Sequence, residues 1–138
     1  MECDKELIHK FNYRSLDDVP SMPCLDIVLY NPKNKISVAD TAEIDTGLDY
    51  SVLLTGELIE LLKLSFEGSE KIVVPDGSVI TCRVTEVSIK IGDKWFETKA
   101  YYSEKLLTEN PILGRGILNK LNLCLRGEDE ESFITSAK

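Results

Sequence analysis

The sequence predicts a mainly β, antiparallel fold with one definite helix and a second, shorter one. Three observations predict it. Apolar residues recur at every second position through several runs rich in Val, Ile and Leu, which is the spacing of half-buried strands. Turn-forming clusters separate those runs: Asn31-Pro32-Lys33-Asn34-Lys35, Pro75-Asp76-Gly77-Ser78 and Gly92-Asp93-Lys94 stand where hairpin turns belong. Only the stretch after Thr55 spaces its leucines for a helix with a start signal in front.

Residues Met1 to Val19 mix charges with scattered apolar positions (Leu7, Ile8, Phe11, Tyr13, Leu16) and read as an extension with room for one short helix. Pro20 and Pro23 mark its boundary. Cys24 to Tyr30 alternates as a strand, and Ile36 to Ile44 returns as the second arm of its hairpin. A short strand, Val52 to Leu54, leads to Thr55 as helix N-cap, with Glu57 in the first turn, Lys63 near the end, and Leu58, Leu61 and Leu62 on one face. Ile72-Val73-Val74 and Val79-Ile80-Thr81-Cys82 flank an Asp-Gly turn, a strong hairpin signal. Val84 to Ile91 and Trp95 to Tyr102 form the next hairpin, and Leu121 to Leu125 reads as a last strand. The organisation expected is an extension over residues 1–20, a folded domain over 21–127, and an acidic, mobile tail over 128–138 opened by Glu128, Asp129, Glu130 and Glu131.

With 138 residues the chain is long enough to bury one core without staples. A net charge of -8 repels polyphosphate, and no basic patch offsets it, so nucleic acid is not an expected partner. No apolar run has the length of a membrane span, and the N-terminus is acidic where a signal peptide is basic, so the expectation is a soluble, cytoplasmic protein without a membrane partner. Cys3, Cys24, Cys82 and Cys124 are widely spaced and His9 is the only histidine, which leaves no metal site, no expected cofactor and no Cys-His pair except one using His9. Buried thiols are the simplest reading of the cysteines. An intracellular disulfide is the alternative for a hyperthermophile, a source towards which the absence of glutamine and the wealth of Glu and Lys lean.

The stretch Ala42 to Leu54 organises the chemistry. An apolar approach through Ile36, Val38, Ala42 and Ile44 delivers Asp45 to a Thr46-Gly47 step, and Val52-Leu53-Leu54 leaves it. Strands hold a carboxylate more firmly than a loose loop, and glycine leaves room beside it for a ligand. Asp, Thr and Gly are also ordinary turn residues, so the triplet alone fits a plain turn. A second stretch, Pro111-Ile112-Leu113-Gly114-Arg115-Gly116-Ile117-Leu118, changes the weighting.

Ile44-Asp45-Thr46-Gly47, followed well downstream by Ile112-Leu113-Gly114-Arg115 and a short apolar helix, resembles the retropepsin-like aspartic proteases over about Met22 to Gly127. The resemblance implies a closed, β-barrel-like acid protease fold working as a homodimer, and an aspartic endopeptidase acting on peptides or proteins with apolar side chains. It implies Asp45 as the catalytic group, Thr46 as a brace across the dimer axis, Gly47 as backbone presented to substrate, and an Asp49–Arg115 ion pair that, with Gly114, supports the site. It also makes the hairpin of Val74, Pro75, Asp76, Gly77, Ser78 and Val79 a flap, with Leu48, Val74, Val79 and Ile112 lining the cleft. An ordinary surface hairpin is the competing reading of that turn. Such chemistry needs two carboxylates sharing one proton, and the chain holds a single Asp-Thr-Gly, so the second must come from another copy across a two-fold axis. Two departures stand out: Leu48 where the family more often has alanine, and a loose match of Leu123 to Gly127 to the family's interface strand. The main alternative is a dimeric barrel of the same fold that binds or scaffolds without useful peptidase activity.

Overall fold

The computed structural model describes residues 7–14, 20–73, 77–106 and 108–135. Its first hairpin is built from β2 (Cys24–Asn31) and β3 (Ile36–Ile44), paired in register from Cys24↔Glu43 to Asn31↔Ile36. Asparagines set the turn: Lys33 N donates to Asn31 Oδ1 at 3.1 Å and Ile36 N to Asn34 Oδ1 at 3.0 Å, the local bonds that make Asn a turn residue. The same two side chains reach further. Asn31 Nδ2 and Asn34 Nδ2 each donate to the Leu62 carbonyl at 3.0 Å, capping the end of α1 (Gly56–Leu61) and tying the hairpin to it. At the other end of α1, Thr55 is the N-cap and accepts from Leu58 N at 3.2 Å.

The chain then makes β4 (Val52–Leu53) before α1, and β5 (Gly68–Val73), β6 (Val79–Ile91) and β7 (Lys94–Tyr102) after it. The two strands expected around Arg83 are one continuous β6, because nothing there breaks the backbone; its buried positions are Cys82 and Val84, then, after a change of phase at the buried Thr85, Val87, Ile89 and Ile91. β6 is long enough to pair with β5 along residues 79–84 and with β2 along 88–91. Gly92, at φ 65°, turns it into β7. β8 (Ile112–Leu113) completes the ring: the order β2-β3-β8-β4-β7-β6 closes through the β2–β6 pairing into a six-stranded barrel, with β5 outside it. Most pairings are antiparallel, while β3–β8 and β4–β7 are short parallel ones. Leu25, Leu29, Val52, Leu54, Leu58, Leu62, Ile89 and Leu113 fill the interior.

Both flanking segments contribute strands. Within the described part of the extension, where no helix is found, β1 (Leu7–Asn12) pairs with β10 (Glu131–Thr135), and β10 pairs with β9 (Leu123–Arg126) in a separate three-stranded sheet. The acidic tail is therefore ordered as far as residue 135: Phe133 and Ile134 are buried, and their apolar faces outweigh the charged run before them. Gly92 also receives this sheet, since a Cβ there would lie 2.6 Å from the His9 ring. Cys24 and Cys82 are buried free thiols, whereas Cys124 is disulfide-bonded, a correction to the reading of all four as thiols. Among the described residues, no helix is long and apolar enough to cross a membrane.

Candidate active site

Asp45 stands where β3 leaves the barrel. Its backbone N donates to Leu113 O at 2.9 Å, carrying the parallel β3–β8 pairing one residue beyond the strand. Gly47 N then donates to Asp45 Oδ1 at 2.9 Å, and Leu48 N to Asp45 O at 3.2 Å, so the loop closes back on the acid and orients its carboxylate. A Cβ at Gly47 would sit 3.2 Å from Oδ1, tight enough to disturb that contact. Asp45, Thr46 and Gly47 are all exposed, so the carboxylate is held without being covered.

The second motif braces the first. α2 (Arg115–Leu118) follows β8 directly, and Gly114 is its N-cap. Gly114 N donates to Ser51 O at 2.9 Å and Arg115 N to Leu48 O at 2.8 Å, clamping the loop after Asp45 against the start of the helix. Contact is close enough that a Cβ on Gly114 would meet Tyr50 O at 2.0 Å and Leu48 O at 2.7 Å. Arg115 Nη2 forms an ion pair with Asp49 Oδ1, both side chains being largely exposed. The two motifs, remote in sequence, thus form one unit.

Beside Asp45 opens a cleft of about 590 Å³. Its acidic side carries Asp45, Gly47, Leu48 and Asp49; its apolar wall is Leu53, Ile72, Val73, Leu106 and Ile112; Lys105 and Thr108 complete the lining. Leu48 and Ile112 are where the sequence expected them. Val79 is not part of this lining: it is 60% exposed and borders a neighbouring groove with Thr81, Arg83 and Lys105, while its cross-strand partner Val73 lines the cleft. Val74, Pro75 and Asp76 lie outside the described residues; Gly77, at φ 87°, and Ser78 follow them as exposed positions.

Under the apolar wall sits a cluster of Leu53, Ile72, Cys82, Val84 and Tyr101, with Tyr50 packed on Tyr101 at 5.0 Å between ring centroids. Burial, followed by the hydrogen bond and charge of the neighbouring Glu70 carboxylate, pushes the Tyr101 phenol up to about 12. Burial also pushes the Cys82 thiol up, which keeps it protonated and inert as a nucleophile. Sequence reading missed Leu53, Ile72, Val73, Lys105, Leu106, Thr108 and this tyrosine pair. Only the apolar character of Leu53 and Val73 was a signal; the rest are gathered by strand pairings between distant segments. Among the described residues, no group of three or more His, Cys, Asp or Glu side chains is arranged to hold a metal.

The fold has known counterparts. The chain is similar to a solved structure of EIAV protease complexed with the inhibitor HBY-793, with a TM-score of 0.57 and 22% identity over 77% of this chain and 93% of that one. It is also similar to a retropepsin-like aspartic protease from Rickettsia conorii, with a TM-score of 0.59 and 14% identity over 91% of this chain and 89% of that one. No protein-family profile matches the chain, and no curated protein does.

Proposed function

We propose that this chain, whose fold is that of the retropepsin-like aspartic proteases, is an aspartic endopeptidase that works as a homodimer. The observation that carries the reading is an exposed carboxylate, Asp45, fixed by a glycine amide and braced by the Gly114–Arg115 segment at the edge of an apolar cleft of about 590 Å³. We place the catalytic unit in residues 21–127, with the segments on either side supplying β1 and β10.

The chemistry follows from two such carboxylates meeting across a two-fold axis. Like charges a few ångströms apart cannot both ionise, so the pair shares one proton. The ionised Asp45 takes a proton from water, the water attacks the peptide carbonyl, and the protonated Asp45 of the other copy supplies a proton to the developing oxyanion. Thr46 braces the pair across the axis, and Gly47 offers backbone to the substrate. Asp49 and Arg115 act as scaffolding: their pairing joins the catalytic loop to α2. The hairpin between β5 and β6 is the flap that closes on substrate, and Val73, Ile72, Leu53 and Ile112 favour extended peptides with apolar side chains.

Asp45→Asn tests this. It keeps shape and removes the titratable group, so peptide cleavage disappears while circular dichroism and thermal unfolding stay near those of the parent. Cleavage by the variant at the parental rate, in a preparation shown free of other proteases, overturns the reading. So does a rate that keeps climbing in alkali, where a pair sharing one proton has lost it.

A further inference from the structure

The wall of the cleft made by the chain leaving β7 carries a charge that the proposed chemistry does not use. Lys105 is exposed, and among the described residues no carboxylate lies within ion-pair distance of it; the basic side chains paired there are His9, Lys10, Lys33, Lys99 and Arg115. Its backbone is fixed, since Lys105 N donates to Ser103 Oγ at 3.2 Å and Leu106 N to Ser103 O at 3.1 Å.

Position gives Lys105 a direction. Lys105 lines both the cleft and the adjoining groove of about 330 Å³ along β6, where Val79, Thr81 and Arg83 lie, so it stands where one opens into the other. Glu104 borders only the groove. Asp45 and Asp49, in the same lining, repel a substrate carboxylate. An acidic side chain is therefore driven to the Lys105 end, and it fixes the register of an extended peptide.

We infer that Lys105 forms a subsite for a Glu or Asp side chain of the substrate, away from the scissile bond held at Asp45. This rests on the proteolytic reading above. The substrates are then extended peptides with apolar residues around the cleaved bond and one acidic residue flanking them.

The test compares peptides with an apolar cleavage site and either Glu or Gln at each flanking position in turn. The parent protein cleaves the Glu peptide about fivefold better in kcat/KM at one position, mainly through KM, and the preference shrinks as salt is raised, as for a partly exposed ion pair. In Lys105→Met the Glu-to-Gln ratio falls to about one, and in Lys105→Glu a Lys peptide becomes the better substrate. Cleavage without preference at any flank, or a Glu preference that survives Lys105→Met, overturns the subsite and leaves the protease reading intact. If nothing is cleaved, fluorescence anisotropy of the same peptides decides. Tighter binding of the Glu peptide that is lost in Lys105→Met keeps the subsite while proteolysis falls; equal or absent binding removes the subsite as well.

Discussion

Gly114 shows how much rests on one missing side chain. A Cβ there would overlap Tyr50 O and Leu48 O, both backbone atoms that cannot rotate away, so Gly114→Ala has to push the Asp45 loop off α2. Overpacking of this kind costs ~3 kcal/mol or more. Urea unfolding of Gly114→Ala should show that loss, whereas Gly127→Ala, with nothing within 4 Å of its Cβ, should unfold like the parent. Tyr101 gives a second prediction at this scale. Its folded-state value is raised from 10.0 to about 12, so its contribution is whole below the lower value and is lost as pH climbs through that window. Urea midpoints of the parent should fall across the window, and Tyr101→Phe should flatten the fall. The loop at Asp45 and the segment packed on it stood out in the sequence because Asp45, Gly47, Gly114 and Arg115 sit in two short contiguous motifs. Tyr101, Lys105 and Thr108 were not, since each acquires its neighbours through pairings that no local pattern records.

At the scale of elements, the sequence served best where turn chemistry or a cap announced itself. The Asn31 to Lys35 turn, the Thr55 cap and the Gly92 turn all fall where local hydrogen bonding or a positive φ demands them. Thr55→Ala should therefore cost ~1 kcal/mol by loss of the cap, measurable by thermal unfolding. The strands of the smaller sheet were hidden for a physical reason: β1 and β10 are short and lack a clean apolar alternation, and neither makes sense until it lies against the other. Phe133 sits at 5% exposure in β10, so Phe133→Ala should cost about 3–5 kcal/mol, the usual range for emptying an aromatic site. An unfolding midpoint equal to that of the parent would mean that residues 131–135 do not pack as β10.

At the scale of the whole molecule, the proposal hangs on each chain holding one Asp45. A heterodimer of parent and Asp45→Asn has a single carboxylate and should be dead. Mixing the parent with a large excess of the variant, under conditions where exchange is verified by mass, should collapse activity per parental chain. Unchanged activity with exchange verified means that each chain carries a complete site by itself. The braces of that site also have a history in time. Asp45 leaves the ribosome long before Gly114 and Arg115, and at ~5–20 residues per second the wait is roughly three to fourteen seconds. Through that interval the nascent chain owns its acid but not the segment that holds it in place. A product of interrupted translation that ends short of Gly114 is left with a loose carboxylate on an open barrel, so on the proteolytic reading nothing is cut before that segment has been made.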